Sequence, residues 1–331
     1  MDWQRRCLQI GCVMIVAAVI LRLLSAGAPE PLAKALENPE TAAFLLYLES
    51  GRVVRPTVPT DPTQPEPTTT PTSPPETVAI TEPETQALCF SADDASLVDV
   101  RYYASYRPDL QALVTMPLRW DLQKASPAVL ILHTHATESY DPTAEDYEES
   151  SDYRTLDARY NMVSIGAYLT ELLEQGGITV IHDTTLHDYP SYNGSYSASR
   201  KSAQAYLKEH PEILMVLDLH RDAAEDGSGQ LDTSVQVGGK ECAQLMMVVG
   251  TRQQGWENNM ALAVKLTALL EKQHPGSTRP ISFRTQQFNQ DLSPGALLIE
   301  VGAAGNTRQE ALRAVEILAE GILALSKGAN T

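Results

Sequence analysis

The sequence predicts an α/β fold in which helices cover both faces of a mostly parallel sheet. Two observations lead to this expectation. Continuous apolar runs, each short enough to be one strand, alternate along the chain with longer segments of helical spacing. Strands that are buried on both faces are apolar throughout, rather than at every second position. The pattern spans residues 88–331, which we expect to form one domain.

The predicted elements follow one another in regular order. AVLILH (128–133) is the first apolar strand, and residues 161–175 form a helix that ends at Gly176. Further strands are expected at 178–182, 213–220, 243–250 and 296–302, and further helices at 196–209, 257–273 and 307–326. Strands and helices that alternate in this way are typical of α/β proteins.

The N-terminal segment predicts a membrane anchor. Arg5 and Arg6 precede an apolar run from Cys7 to Leu24, which is at the short end for a transmembrane helix. Positive charge before the run predicts a cytoplasmic N-terminus and an exported remainder. Small residues at 25–28 leave a cleaved signal peptide as the alternative. We expect residues 1–28 to be the cytoplasmic N-terminus and the anchor of a single-pass cell-membrane protein with an extracytoplasmic domain.

Residues 29–87 are expected to connect the anchor to the domain. A short juxtamembrane segment comes first, and from Val54 to Gln86 the chain is rich in Pro and Thr. Such a composition cannot bury enough apolar surface to fold, and proline favours extended conformations. We therefore predict a disordered linker that holds the domain away from the membrane.

The net charge argues against a nucleic-acid partner, and the cysteine spacing argues against a zinc site built from thiolates. The formal net charge is −17, whereas binding to nucleic acid requires clustered Lys and Arg, so we expect no nucleic-acid partner. The four cysteines include no CxxC pair of the kind that holds zinc through thiolates.

Three polar clusters lie where predicted strands end. They are HTHATESY (133–140), DLHRDA (218–223) and LIEVGAAGN (298–306). Ligands of open α/β sheets bind outside the carboxyl ends of the strands. A single member could be structural, such as His133 as a buried core histidine or Glu138 as a helix cap. Glu300 lies within an apolar strand, however, and a buried carboxylate needs a partner or a metal.

The clusters predict a zinc centre. Catalytic zinc sites commonly use three N/O ligands and leave a fourth position for water. His135, Glu138 and His220 are the predicted ligands, with His133 as an alternative ligand to His135. Glu300 is the predicted catalytic residue that accepts and returns a proton. The HxxE spacing followed by a distant His also recurs in zinc carboxypeptidases.

The same motifs, together with HDTTLHDYPSYNGSYSASR (182–200) and PGALLIEVGAAGNT (294–307), resemble the stage II sporulation protein P family of membrane-anchored peptidoglycan hydrolases. The resemblance extends from about Val98 to the C-terminus. That family is distantly similar to zinc N-acetylmuramoyl-L-alanine amidases, which implies a zinc amidase/carboxypeptidase-like fold. DLHRD and LIEVGAAGN match two amidase motif segments. The stretch ARYNMVSIG (158–166) has no Glu where those amidases carry their Glu ligand, so Glu138 is assigned instead.

The resemblance implies an amidase that removes stem peptides from N-acetylmuramic acid, and also endopeptidase cleavage of peptide cross-links. The implied role is wall remodelling during sporulation engulfment, with peptidoglycan as substrate and a lytic transglycosylase like stage II sporulation protein D as partner. Two alternatives stay open. The chain could be a non-catalytic wall-binding scaffold for a partner hydrolase, or a zinc carboxypeptidase that acts on free peptide ends.

Substrate contacts are predicted on the loop after the second strand and beside the second histidine. The residues are His187, Tyr192, Asn193, Arg200 and Arg221. Tyrosine and amide side chains suit muropeptides, and arginine binds carboxylates through two parallel hydrogen bonds. The alternative is that these residues only order the loop and cap the next helix.

Overall fold

The computed structural model describes residues 87–141, 147–151, 153–226 and 229–330. The predicted anchor at 1–28 and the linker at 29–87, apart from Ala87, lie outside the described residues. Within those described ranges, no helix combines the length and the hydropathy needed to cross a membrane.

Eleven strands and five α-helices form in the described ranges, with two 3-10 helices. The strands are β1 Val100–Tyr102, β2 Val129–Leu132, β3 Val180–His182, β4 Met215–Asp222, β5 Glu225–Asp226, β6 Gly229–Gln230, β7 Ser234–Val237, β8 Lys240–Ala243, β9 Leu245–Gly250, β10 Ile281–Arg284 and β11 Ala296–Ala303. The α-helices are α1 Leu110–Thr115, α2 Met162–Gln175, α3 Ser195–Glu209, α4 Trp256–Gln273 and α5 Arg308–Ala324, and the 3-10 helices are Ala92–Leu97 and Gln290–Leu292.

The main sheet of the described chain has seven strands in the order β1-β10-β9-β11-β4-β2-β3. Neighbouring strands pair in parallel, except that β9 and β11 are antiparallel. The expectation of a mixed α/β fold with a mostly parallel sheet is therefore confirmed. The prediction omitted β1 and β10, which have only three and four residues. Two short hairpins, β5-β6 and β7-β8, lie apart from this sheet.

Helices pack on both faces of the sheet, and β2 shows why its sequence is apolar throughout. Val129 and Ile131 face the larger core, to which α2, α4 and α5 contribute. Leu130 and Leu132 face a smaller core on the other side, where Ala203 of α3 packs. Each residue of β2 is thus buried, whichever side it faces.

Two helix starts near the sheet edge are fixed by side-chain caps. Asn161 precedes α2, and its side chain accepts a hydrogen bond from the amide of Val163. Thr307 precedes α5 in a capping box with Glu310, in which each side chain bonds the other residue's backbone. These caps fix where α2 and α5 leave the edge that carries the polar clusters.

Candidate active site

The three predicted polar clusters lie at one edge of the sheet. They follow β2, end β4 and end β11, and these strands are adjacent in the order β11-β4-β2. Leu132 pairs with Asp218, and Glu300 pairs with His220, so the strands end at matching heights. His135 and Glu300 are 165 residues apart along the chain, yet both lie at the carboxyl ends of these parallel strands.

His135 lies just beyond β2 and is buried at 8% exposure. Its ring stacks on Tyr192 with centroids 4.5 Å apart, and the Tyr192 hydroxyl is 3.2 Å from Nε2. The ring of His220 lies edge-on to it, with centroids 5.2 Å apart. Burial lowers the pKa of His135 to about 4. The imidazole is therefore neutral at pH 7, as a metal-binding histidine must be.

Asp218 anchors the turn that carries His135. The carboxylate of this buried β4 residue accepts hydrogen bonds from the Thr134 amide at 2.8 Å and the Thr134 hydroxyl at 2.6 Å. The hydroxyl of Ser199, at the start of α3, is 2.7 Å from that of Thr134. Three elements therefore fix the backbone beside His135.

Glu138 is buried among cationic groups. Its Oε1 accepts from Arg154 at 3.1 Å, and its Oε2 accepts from the backbone amide of Arg221 at 3.3 Å. The Nδ1 of His220 lies 3.5 Å from Oε2. Burial raises the pKa of Glu138, but the hydrogen bond to His220 and the charge of Arg221 outweigh it and lower that pKa to about 2. The carboxylate is ionised at every pH of interest.

His220 lies between two carboxylates. Its Nε2 is 3.0 Å from Asp218, within ion-pair distance, although the atom has no assigned hydrogen bond among the described residues. Burial lowers the pKa of His220, yet the charges of Asp218 and Glu138 prevail and raise it well above its ordinary value. The two carboxylates thus hold a proton on this ring, and a metal ion would have to displace it.

Glu300 faces the same region from β11. Its Oε2 is buried and has no hydrogen-bond partner among the described residues. Burial raises the pKa of Glu300 to about 8, and the nearby charge of Glu138 adds to the rise. A carboxyl group with this pKa exchanges protons near neutral pH, which is the property of a general acid or base.

A β-bulge directly after Glu300 explains the glycine in LIEVGAAGN. The register of β11 against β4 shifts between Glu300 and Ala303, and Gly302 has φ +72°. A Cβ at Gly302 would come within 2.7 Å of the Ala243 Cβ. The Asn306 side chain accepts from the Ala303 amide at 2.9 Å, which closes the turn.

His133 occupies a different environment from His135. Its Nδ1 lies 3.2 Å from the Leu219 carbonyl, to which it donates, and its Nε2 lies 2.9 Å from Nε2 of His182. Both ring nitrogens are thus engaged, whereas Nδ1 of His135 is buried without a partner. Of the two predicted alternatives, His135 has the nitrogen that is free to bind a metal.

The donors fit zinc chemically, although their arrangement does not by itself form a metal site. Among the described residues, no group of three His, Cys, Asp or Glu side chains is placed so as to hold a metal ion. Three of the buried polar atoms without a partner belong to the predicted cluster, namely His135 Nδ1, His220 Nε2 and Glu300 Oε2. Imidazole nitrogens and carboxylate oxygens are ordinary zinc ligands, so the residue types suit the metal.

The predicted substrate-binding residues have different surroundings. Tyr192 and Asn193 are exposed beside the site, and His187 is buried 3.1 Å from Asp183. Arg200 forms a bidentate ion pair with Asp291, at 2.7 and 2.6 Å. Arg221 is buried and donates to the carbonyls of Ser139 and Tyr153, each at 2.9 Å.

Arg154 is a site residue that the sequence analysis did not single out. Its guanidinium donates to Glu138 and, at 2.8 Å, to Asp188, and it lies 4.9 Å from the Tyr192 ring centroid. It therefore joins the loop after β2 to the loop after β3. The sequence offers no signal for this role, because both loops are irregular and Arg154 follows no apolar strand.

Fold and site together define an α/β protein with a buried histidine–carboxylate cluster at the carboxyl ends of adjacent parallel strands. The chain belongs to the stage II sporulation protein P (SpoIIP) family, whose model matches residues 61–323. This confirms the family that the motifs predicted.

One curated protein is similar in sequence to the chain. The chain is 29% identical over 203 residues to stage II sporulation protein P of Bacillus subtilis (strain 168), a match that covers 58% of this chain and 49% of that protein. It thus spans about half the length of this curated relative.

Solved structures of two amidases are also similar to this chain. The CwlD amidase from Clostridioides difficile, in complex with the GerS lipoprotein, is 18% identical, with 60% of this chain and 97% of that chain covered at a TM-score of 0.38. The N-acetylmuramoyl-L-alanine amidase AmiC2 of Nostoc punctiforme is 14% identical, with 60% and 97% covered at a TM-score of 0.36.

Proposed function

We propose that this chain is a zinc-dependent peptidoglycan hydrolase that cleaves the N-acetylmuramoyl-L-alanine amide bond. The observation that carries the proposal is the convergence of His135, Glu138, His220 and Glu300 at one sheet edge, where three of their buried polar atoms make no hydrogen bond to any described residue. Such atoms are costly to bury without a partner, and they are typical of sites that bind a ligand or metal. Membership of the sporulation family supports the cell wall as the substrate.

His135, Glu138 and His220 would hold the zinc ion. When bound, zinc polarises a carbonyl group and lowers the pKa of a water molecule. The neighbours of these ligands suit that role, because Tyr192 engages Nε2 of His135 and leaves Nδ1 available. Arg154 and the Arg221 amide hold the Glu138 carboxylate in its ionised form.

Glu300 is the proposed proton carrier. With its pKa raised to about 8, the ionised carboxylate is a stronger base than an ordinary one, so it can take a proton from a water molecule and return it to the departing amine. Glu300 of β11 pairs with His220 of β4, so the proposed proton carrier and a proposed zinc ligand lie on adjacent strands.

The sequence supports further parts of the proposal. The apolar run at 7–24 and the Pro/Thr-rich stretch support a single-pass anchor with an extracytoplasmic domain. Resemblance to the family supports a role in sporulation engulfment, cleavage of peptide cross-links, and a partner like stage II sporulation protein D. The anchor and the Pro/Thr-rich stretch lie outside the described residues.

Digestion of purified peptidoglycan by the full chain tests the function. We expect free stem peptides in the products by mass spectrometry, and loss of the activity in Glu300→Gln with zinc content unchanged. Glu320→Gln makes the same chemical change at an exposed residue and should remain active. An active Glu300→Gln protein would refute the assignment of the proton carrier, and products that keep every amide bond intact would refute the amidase.

A further inference from the structure

A cavity of about 500 Å³ opens beside the proposed zinc ligands. Its lining comes from the loops after β2 and β3, and includes Thr137, Ser150, Ser151, Arg154, Leu156, Asp188, Tyr189, Pro190 and Tyr192. Tyr192 connects the cavity to the site, because its ring both lines the cavity and stacks on His135. A molecule whose reacting bond lies at His135 would therefore extend into this cavity.

Arg154 is the more exposed of the two charged side chains that line the cavity. The side chain of Arg154 is 17% exposed, whereas those of its two partners, Glu138 and Asp188, are 5% and 0% exposed. Both carboxylates are thus covered, and the guanidinium is the charged group that solvent reaches among the described lining residues. Because both carboxylates are buried, a ligand in the cavity would meet the guanidinium rather than the carboxylate of Glu138 or Asp188.

Arg154 retains donors for that ligand. Its NH1 group donates to Asp188 at 2.8 Å and to Thr137 Oγ1 at 3.2 Å, and its NH2 group donates to Glu138 at 3.1 Å. The Nε–H and the second NH2 hydrogen have no acceptor among the described residues. Guanidinium N–H groups without an acceptor can donate to a carboxylate ligand.

The remaining walls suit a peptide. Tyr189 and Tyr192 are 55% and 54% exposed, and Leu156 is 41% exposed, so apolar surface is available for contact. The hydroxyls of Ser150 and Ser151 add hydrogen-bonding groups on the opposite loop. Aromatic walls with a few polar groups and one cation are typical of sites that bind a carboxylate-bearing peptide.

We infer that this cavity is the subsite for the peptide part of the substrate, and that Arg154 recognises a free carboxylate on that peptide. The inference rests on the proposed function, since it places the amide bond at His135 and the peptide beyond Tyr192. Peptide amides that lack the carboxylate would lose the contact to Arg154 and bind more weakly.

Two ligands that differ in this one group test the inference. N-acetylmuramoyl-L-alanyl-D-glutamate has a free α-carboxylate where N-acetylmuramoyl-L-alanyl-D-isoglutamine has an α-amide, and both keep the γ-carboxylate. The α-carboxylate is the group assigned to Arg154, because the γ-carboxyl is taken up in an amide bond when the peptide continues. We would titrate each into the full chain carrying Glu300→Gln, by calorimetry. The acid should bind at least about tenfold more tightly than the amide, and Arg154→Gln should abolish the difference. Arg159→Gln, which changes an arginine that is paired with Asp157 on the surface, should preserve it.

A second variant keeps the test decisive if Arg154→Gln does not fold. Ser151→Trp should fill the cavity from the turn in which the Ser151 carbonyl accepts from the Arg154 amide, and should weaken both ligands at least about tenfold. It leaves the side-chain partners Glu138 and Asp188 unchanged. Equal binding of the acid and the amide by the Glu300→Gln chain would overturn the inference, as would a preference for the acid that survives Arg154→Gln. These outcomes leave hydrolysis of peptidoglycan by the unmodified chain unaffected, so they separate a wrong subsite from a wrong function.

Discussion

The ring of Tyr192 lies flat against that of His135, with centroids 4.5 Å apart and planes 11° from parallel. The tyrosine hydroxyl is 3.2 Å from Nε2, and the other ring nitrogen of His135 has no partner. When the hydroxyl accepts from the Nε2–H, the opposite nitrogen carries the lone pair that a metal requires. Tyr192 therefore orients His135 as well as lining the neighbouring cavity.

Tyr192→Phe should weaken zinc binding about tenfold, since removing an outer hydrogen-bond partner of a metal-binding histidine has an effect of this order. The phenyl ring retains the stacking, so the change isolates the hydroxyl. Competition between the chain and a chromogenic chelator would measure the affinity. Tyr189→Phe, an equally exposed tyrosine of the same loop, is the control. Indistinguishable zinc affinities of the two variants would contradict the role of the hydroxyl.

Asp218→Asn should destabilise the domain by about 2–4 kcal/mol, because the new amide NH₂ group has to face the Thr134 amide or leave a buried acceptor bond unmade. The aspartate is buried, and both of its oxygens accept from Thr134. Urea denaturation measures the difference in the free energy of unfolding. Asp99→Asn at an exposed position should stay within about 0.5 kcal/mol of the unmodified protein. A similarly small effect at Asp218 would show that its hydrogen bonds are dispensable.

The predicted site residues that lie close together share one property, since each follows or lies in an apolar strand. His135, His220 and Glu300 were found because the carboxyl ends of such strands meet in an α/β sheet. The strands β1 and β10 were missed because VRY and ISFR are short and mixed in polarity. The antiparallel pairing of β9 with β11 was not predictable, because strand direction depends on the connection rather than on the residues of one strand.

Loop contacts account for the rest of what the sequence did not reveal. Arg154 reaches Glu138 and Asp188 only because two irregular loops approach each other. Arg200 was predicted to bind a substrate carboxylate, and the structure pairs it with the carboxylate of Asp291, 91 positions later. An arginine in a sequence shows that a carboxylate partner is expected, but not whether that partner is part of the same chain.

Gly166→Ala should destabilise the domain by about 1–3 kcal/mol, because overpacking a buried contact forces the backbone or neighbouring rings to shift. A Cβ at Gly166 would come within 2.5 Å of Nε2 in both His133 and His182. The absent side chain therefore allows α2 to lie against this histidine pair. Thermal unfolding of Gly166→Ala and of Gly166→Ala with His182→Ala would test the cause. The double variant should lose less than the sum of the single changes, and strict additivity would contradict direct contact.

The buried amine of Lys265 should make the stability of the domain depend on pH. The side chain is fully buried in α4, where Nζ donates to the Leu113 carbonyl at 3.0 Å. Burial lowers the pKa of Lys265 from 10.5 to about 8. At pH values between about 8 and 10.5, Lys265 keeps its proton in the unfolded chain but has released it in the folded chain. The free energy of unfolding should therefore rise with pH across this window, and below pH 8 the charged form is buried at full cost.

Lys265→Met should remove that pH dependence and stabilise the protein at pH 7 by about 1–3 kcal/mol, since an apolar side chain of similar length carries no charge to bury. Between pH 7 and pH 9.5 the unmodified chain should gain about 2 kcal/mol relative to the variant. Urea denaturation of both proteins at the two pH values gives this difference directly, because other titrating groups contribute equally to each. Lys272→Met, an exposed lysine of the same helix, should follow the unmodified chain. A difference between Lys265→Met and the unmodified chain that is the same at both pH values would show that the buried amine does not lose its proton in this range.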